Sequence, residues 1–408
     1  MSQLPDPADF AGPPTPADLR RWADADRAAR PGRLARLRAR FTDAGIDAYF
    51  GVRPEHMRYL TGFALGNGEE KVAGYSGQFL VGADEVVILA DSRYTIQAKR
   101  EAPDARLFEA YGNLPERWPE LVASVGAKRV GVEAGFVSQA TWAKLAAAAP
   151  DVELVPIDGW VEADRATKEP AELERVEAAC AVADRALATL LPKITPGVTE
   201  QTLALDLEWL MRTGGAEALA FDVAVLAGPQ AALPHGSPGE RKVAAGEVLL
   251  FDFGAQVAGY RSDMTRTLFV GDPDPDDVAV YQTVARAQQA GIDAVETAVQ
   301  AAKHGAALPT GRSIDAVARQ VIDEAGHGEH FGHGTGHGIG LATHEAPSLG
   351  KTAPETPLPS PTVFSVEPGI YLEDEVGVRI EDLIAIDAAA GSVRRLTRFP
   401  RDVVVVGR

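Results

Sequence analysis

FDFGAQVAGYRSDMTRT, residues 251–267, sets Asp252 and Asp263 eleven positions apart in a stretch that reads as strand, turn, strand. A turn centred on Val257 and Ala258 puts the two carboxylates directly opposite one another. Like charges in that position destabilise a sheet, and in a partly buried site one of them must take up a proton unless a cation intervenes. Further on, SVEPGIYLEDEVGVRIEDL, residues 365–383, repeats the arrangement: a turn around Asp374 makes Glu367 face Glu381. Surface decoration would alternate the signs of such pairs, and neither hairpin does.

Between the hairpins lies FGHGTGHGIGLATHEAP, residues 331–347. His337 supplies a nitrogen ligand, and its flanking glycines let the backbone come close in conformations barred to other residues. Four carboxylates and one imidazole suit two divalent ions, of Mn, Co, Zn or Fe rather than Mg. Bridging carboxylates would hold such ions roughly 3.5 Å apart, the separation at which two Lewis acids share one water. The pattern makes the chain a candidate metallohydrolase. His344 can reach the same cleft as a proton donor, and His333 can line it. His235, in ALPHGSPGE, sits on a shaped turn and taken alone reads as structural or exposed. His327 and His330 read as a helix end or loop, and His56 and His304 as surface residues.

The chain has 408 residues, enough for two domains, and its 46% hydrophobic and 24% charged content is that of a soluble globular protein. A net charge of -18 argues against nucleic acid and against an anionic membrane surface. Cys180, the single cysteine, falls on the apolar face of AELERVEAACAVADRAL and reads as a core residue. The N-terminal stretch shows neither an apolar signal core nor a cleavage site, and no run is long enough to span a membrane, so a cytoplasmic location is expected.

Residues 1–30, rich in Pro, Ala and Asp, read as a poorly ordered arm with one short helix. Alternating short strands and helices over residues 31–160 indicate an α/β domain. From 161 to 408, long amphipathic helices alternate with strand pairs, an α+β arrangement with an antiparallel sheet and outer helices. Pro170 stands at a helix start and Thr199 at an N-cap.

The order His235, Asp252, Asp263, His337, His344, Glu367, Glu381 resembles the metallopeptidases of the pita-bread fold, which include methionine aminopeptidases, Xaa-Pro aminopeptidases and Xaa-Pro dipeptidases (prolidases). MRYLTGF at 57–63 and DSRYTIQA at 91–98 resemble the creatinase-like N-terminal domain of the proline-specific branch. The resemblance implies a curved antiparallel sheet with outer helices, a homodimer and two divalent metal ions per subunit, manganese first among the candidates. It implies that Asp252 binds one ion through both oxygens, that Asp263 and Glu381 bridge, and that His337 and Glu367 complete the second. Water activated between the ions would attack the carbonyl of the residue before proline. His235 and His344 would stabilise the tetrahedral intermediate and assist proton transfer, and Glu367 would shuttle a proton. His333, Tyr371 and Arg379 match positions that line the substrate pocket or support its ligands. The complete ligand set argues against a metal-free creatinase-like hydrolase and against a non-catalytic binding protein.

The remaining choice lies between an Xaa-Pro dipeptidase and an Xaa-Pro aminopeptidase acting on longer peptides. A dipeptidase must recognise the carboxylate of proline and close the cleft beyond it. The segment ALGNGEEKVAGY, residues 64–75, is long enough to cap an active site, which favours the dipeptidase.

Overall fold

The protein is represented by a computed structural model that describes residues 4–65, 76–109 and 114–407. The chain forms two compact units, one of Ala23–Asp164 and the other of Met1–Trp22 with Arg165–Arg408. The segment 64–75, expected to cap the cleft, lies almost wholly outside the described residues.

The first unit is built on a six-stranded sheet. Its strands are β1 (Ala48–Gly51), β2 (Phe79–Val81), β3 (Val86–Leu89), β4 (Arg106–Phe108), β5 (Arg129–Glu133) and β6 (Glu153–Ile157), in the order β4-β3-β2-β1-β5-β6. The β1/β5, β5/β6 and β3/β4 pairs are parallel and the two pairs made by β2 are antiparallel. Every residue of β1, β2 and β3 is buried, the mark of strands covered on both faces. Trp118 meets Phe50 of β1 edge-on at 5.0 Å in the core.

Two sequence expectations fail here. The arm expected at 1–30 is in large part ordered helix: Pro16–Ala39 is one element of 24 residues. Pro31 and Gly32 lie inside it, and the Ala-, Arg- and Leu-rich sequence on both sides favours helix strongly enough to run through them. His56, read as a surface residue, is fully buried, with Nδ1 2.6 Å from Glu133 Oε1. It lies on the inward side of the helix Pro54–Thr61, and a carboxylate from the end of β5 makes the buried imidazole tolerable. His304 is exposed, as expected.

The second unit contains the antiparallel strand pairs read from the sequence. β7 (Ala218–Leu219), β8 (Ala224–Ala227), β9 (Val248–Phe253), β10 (Ala255–Val257), β11 (Tyr260–Arg261) and β12 (Met264–Val270) precede β13 (Gly336–Gly338) and β14 (Glu345–Leu349). β15 (Thr362–Val366), β16 (Gly369–Leu372), β17 (Val376–Arg379), β18 (Asp382–Asp387), β19 (Ser392–Arg395) and β20 (Val405–Val406) follow. The main sheets run β20-β12-β9-β8 and β14-β13-β15-β18-β19. Helices Pro170–Leu190 and Glu200–Thr213 begin as read, Pro170 in the first turn with a Glu169–Glu172 capping box, and Thr199 accepting the Thr202 N–H at 3.1 Å.

Alternation along β9 shows how the helices lie. Leu249, Phe251 and Phe253 pack with Leu187, Leu207 and Met211 of those two helices. Val248 and Leu250 pack instead with Val284 and Ile322 of helices Pro275–Ala302 and Gly311–Glu324. The antiparallel sheets are therefore clothed by helices, and Asp252 shares its face with Val248 and Leu250. Cys180 is wholly buried in this core. Among the described residues no helix is long and apolar enough to cross a membrane.

Candidate metal centre

The first hairpin differs from its expected register by two residues. Its turn falls at Ala258 and Gly259, both with positive φ (46° and 88°), and Val257 pairs with Tyr260. Two-residue hairpin loops need left-handed conformations at both central positions, and a glycine takes up one of them without strain. Asp252 consequently faces Thr265, not Asp263. A slip of two leaves every side chain on its original face, where a slip of one would invert it. Asp263 thus becomes the diagonal neighbour of Asp252 on the same face, so the chemistry survives the correction.

The second hairpin has the expected register. β16 and β17 pair Gly369 with Arg379 and Leu372 with Val376, and β15 and β18 continue the same count with Val366 opposite Asp382. Glu367 and Glu381 fall in the gap where the ladder opens. Their backbone N–H groups turn outward: Glu367 donates to Thr335 O at 2.7 Å and Glu381 to Thr265 O at 3.1 Å. Pro368, which has no N–H to offer, stands beside Glu367 in that gap. The break in one hairpin is therefore stitched to the strand of Asp263 on one side and to the approach to His337 on the other.

His337 stands in β13 with glycines on both sides. A Cβ on Gly336 would come within 1.9 Å of Ser365 O, and one on Gly338 within 2.1 Å of Ala346 O. Only glycine permits this approach, which brings His337 Nε2 to 3.3 Å from Glu367 Oε1 and 3.6 Å from Asp263 Oδ2. Nδ1 lies 3.1 Å from Gly338 O; donating there fixes the tautomer and leaves the Nε2 lone pair for a metal. Ser365 Oγ accepts the His337 N–H at 3.0 Å and donates to Glu367 Oε1 at 3.1 Å.

Ligand atoms of Asp263, His337 and Glu381 all lie within 4.8 Å of one another. Burial, then the charges of Glu381, Asp252 and Glu367, push the Asp263 carboxyl well above its ordinary value. Burial, then Glu367 and Asp252, do the same to Glu381. Burial also raises Glu367 and lowers His337, which keeps the imidazole neutral as ligation requires. Glu381 Oε2 accepts from Thr265 Oγ1 at 2.8 Å, whereas Oε1 is buried without a hydrogen-bond partner. An orphaned carboxylate oxygen among crowded like charges is a costly arrangement that divalent cations relieve, so these residues fit a metal centre.

Arg379 organises the other side. It is 4% exposed, and it donates to Asp252 Oδ2, to Thr265 Oγ1 at 2.9 Å, to Tyr371 Oη at 2.9 Å and to Pro234 O at 3.3 Å. Burial opposes its charge, but Tyr371, Asp252, Glu367 and Glu381 together hold it firmly protonated. Tyr371 Oη lies 2.8 Å from His333 Nε2, and His333 Nδ1 lies 2.8 Å from Gly334 O. The proton order is thus Arg379 to Tyr371 to His333. Burial pushes the Tyr371 phenol up to about 12 and lowers His333, so both stay neutral.

A cavity of about 350 Å³ is lined by His235, Asp252, Asp263, His333, His337, His344, Glu367, Arg379 and Glu381. Of the residues singled out from the sequence for this site, Tyr371 alone stays outside its lining, one hydrogen bond behind it. His235 and His344 are solvent-exposed at its mouth, and the His344 ring lies 4.2 Å from that of His337. Partial desolvation of its ring, then the neighbouring His337, lower His344. His327 and His330 flank a single 3-10 turn away from the cavity.

Sequence reasoning missed the supports. Thr265 and Thr267, buried on the Asp263 face of β12, stand either side of Arg266 in a run of three polar residues that gave no alternation to single them out. Asp315 and Arg319, an i,i+4 pair on the buried side of their helix, fasten the histidine loop: Asp315 Oδ1 accepts from Thr335 N and Oγ1, and Arg319 donates to Phe331 O and His333 O at 2.8 Å each.

This fold and this cluster define a metallopeptidase. Residues 174–388 match metallopeptidase family M24, and residues 33–167 match the creatinase/prolidase N-terminal domain. The chain belongs to metallopeptidase family M24, whose members use divalent metal ions. It is 33% identical to the solved Xaa-Pro dipeptidase from Bacillus anthracis, with a TM-score of 0.82 over 92% of this chain and 100% of that one. It is 34% identical to the solved X-Pro aminopeptidase from Thermotoga maritima MSB8, with a TM-score of 0.76 over 89% of this chain and 98% of that one. The Xaa-Pro dipeptidase of Pyrococcus furiosus is 32% identical over 91% of this chain and 99% of its own length.

Proposed function

We propose that this chain hydrolyses the peptide bond preceding proline, as an Xaa-Pro dipeptidase with two divalent ions per subunit. The observation that carries the reading is the orphaned Glu381 oxygen set among Asp263, His337 and Glu367 in a cavity whose mouth holds His235 and His344. The similar proteins named Xaa-Pro dipeptidase support the substrate class. The relative named X-Pro aminopeptidase supports the second reading, release of the first residue from longer peptides.

Asp252, Asp263, His337, Glu367 and Glu381 would hold the ions. Divalent ions bound there supply Lewis acidity toward the scissile carbonyl and lower the pKa of the attacking water. Glu367, steadied by Ser365, takes the proton that the water gives up. The hydroxyl joins the carbonyl carbon, the C–N bond to proline breaks, and the proton passes to the proline nitrogen, which leaves as a secondary amine. His235 and His344 donate N–H groups to the oxygen on which charge develops. Arg379 orients Asp252 and, through Pro234 O, the loop of His235, while His333, held from behind by Tyr371, forms a polar wall beside the substrate.

Manganese is the ion of choice for the oxygen-rich set, with Co, Zn and Fe as alternatives. A cytoplasmic homodimer, with domains at 31–160 and 161–408 after an N-terminal segment of 30 residues, completes the proposal. The deciding experiment compares turnover of Ala-Pro with that of Ala-Pro-Xaa peptides by the Mn-loaded protein. A dipeptidase releases proline from Ala-Pro and leaves the longer peptides intact, whereas efficient release of alanine from the longer series establishes the aminopeptidase.

A further inference from the structure

We propose that residues 4–22 form a positioning strap for the metal centre, in which Phe10 acts through Phe399 and Arg266 on the main chain of Glu381. These residues precede the matched domain, which begins at residue 33, and none of them lines the cavity.

The strap is anchored at three points on the second unit. Phe10, 8% exposed, closes a 3-10 turn at Pro7–Asp9 whose N-cap Asp6 forms a capping box with Asp9. Its ring stacks on that of Phe399 at 6.3 Å with 7° between the planes. Pro13 and Pro14 then cross Gly215, where a Cβ would come within 2.8 Å of Pro13 Cβ, so only glycine admits the crossing. Finally Trp22, 4% exposed, donates its indole N–H to Glu174 at 2.8 Å, and Arg21 pairs with the same carboxylate.

Beneath Phe10 lies a turn, residues 397–400, that is itself tied down. Asp184, on the same helix as Glu174, accepts the N–H groups of Arg398 and Phe399 at 2.8 and 2.9 Å. From that turn two side chains reach the residues around Glu381: Thr397 Oγ1 donates to Asp382 Oδ1 and accepts the Leu383 N–H at 3.2 Å, and Arg266 alone reaches Glu381 itself. Arg266, 1% exposed, donates through Nε to Pro400 O at 2.9 Å and through Nη2 to Phe399 O at 2.8 Å. Its other bonds run to Thr265 O at 2.9 Å, to Asp382 Oδ1 at 2.7 Å and to Glu381 O. All five donors are therefore used, and the guanidinium is planar and rigid. Two acceptors belong to the turn that Phe10 covers and two belong to Glu381 and Asp382. A group so filled has no spare geometry: if the turn shifts, either a buried N–H loses its partner or Glu381 moves with it. Thr265, whose hydroxyl holds Glu381 Oε2, is fastened by the same guanidinium.

The structural part of this inference stands apart from the metal reading, and its functional consequence rests on that reading. The test compares Phe10→Ala with Phe10→Leu, which keeps an apolar side chain over the turn. Two quantities are measured: amide hydrogen exchange at residues 379–383 in the metal-free chain, and the affinity for Mn²⁺ by calorimetry. The expected result for Phe10→Ala is exchange about tenfold faster at 379–383, within the native state. Its Mn²⁺ affinity should weaken roughly three- to tenfold, at or below the usual range for groups that support a ligand. Phe10→Leu should stay near the parent in both. Faster exchange confined to 397–400, with 379–383 unchanged, would show that Phe10 merely packs and would overturn the proposal. Should Phe10→Ala not fold, Trp22→Phe removes one anchor and must show the same changes, smaller in size, or the proposal fails. If the parent chain binds no Mn²⁺, the metal reading falls, and the exchange data still decide the strap.

Discussion

Among the described residues, two clusters of histidine and carboxylate are buried, one in each unit, and the fold treats them in opposite ways. In the first unit, the Glu133 carboxylate accepts four hydrogen bonds: from Tyr49 Oη at 2.8 Å, from the N–H groups of Val52 and Arg53 at 2.7 and 2.9 Å, and from His56 Nδ1 at 2.6 Å. Burial works against its charge, but the His56 bond and charge, with the other donors, hold the carboxyl below its ordinary value. In the second unit, Asp263 and Glu381 face other carboxylates, are driven upward, and one Glu381 oxygen is left with nothing. Residue types are nearly the same; the supply of donors is not. Where the fold provides the carboxylate with donors, the cluster is architecture, although His56 Nε2 is buried there without a hydrogen-bond partner. Where it withholds them, a cation has its place.

The largest effect that can break this contrast is on turnover. Asp263→Asn should lower kcat at least about a thousandfold, because several kcal/mol of charge stabilisation leave with the ions. Metal content, read by atomic absorption, should fall with it, and a variant that retains full activity would dissolve the distinction. Glu133→Ala should do the reverse. It strands a buried imidazole and two backbone N–H groups and should destabilise the first unit by about 3 kcal/mol in denaturant unfolding. Mn²⁺ binding should persist.

A smaller change sharpens the division within the site itself. His235→Ala should cost about a hundredfold in kcat while leaving metal content intact, since the imidazole serves the developing charge and not the ions. Loss of metal in that variant would assign it a different role.

The finest test is the sign of the pH dependence. Glu133 titrates lower in the folded chain than in the unfolded one. The stability it contributes is therefore present above the unfolded pKa and is lost as pH falls through the folded value. Asp263 and Glu381 titrate higher when folded and metal-free. Their contribution is complete below the unfolded pKa and is lost as pH rises through the folded values. The metal-free chain should thus lose stability as pH falls in the first unit and as pH rises in the second. Equal slopes in the two units, measured by hydrogen exchange, would erase the contrast.

Much of the second unit was legible because its signals are local. The Glu367–Glu381 hairpin came out in register because Asp374, at φ 59°, centres a short polar turn. The Asp252–Asp263 hairpin came out two residues off because either of two adjacent positions can carry the turn, and only Gly259 settles it. The error preserved the face, so the ligands remained recognisable. His337 was legible through glycines whose need for close approach the structure bears out. What stayed hidden depends on contacts distant in sequence. The partner of His56 lies 77 residues away, and Arg266 joins groups 115 and 133 residues distant. No periodicity announces that a buried histidine will meet a glutamate at the end of another strand. Arg379 was read as lining the pocket or supporting its ligands; the structure puts it in the cavity wall with a bond to Asp252, and its links to Tyr371, Thr265 and Pro234 could not be read from the sequence.

The Glu381 oxygen left without a hydrogen bond is proposed to belong to a bound divalent ion. Calorimetric titration of the metal-free chain and of Glu381→Gln with Mn²⁺ tests it most directly. Two ions per chain are expected in the parent, with neither retained tightly in Glu381→Gln. Binding of Mn²⁺ by Glu381→Gln with the stoichiometry and affinity of the parent would contradict it.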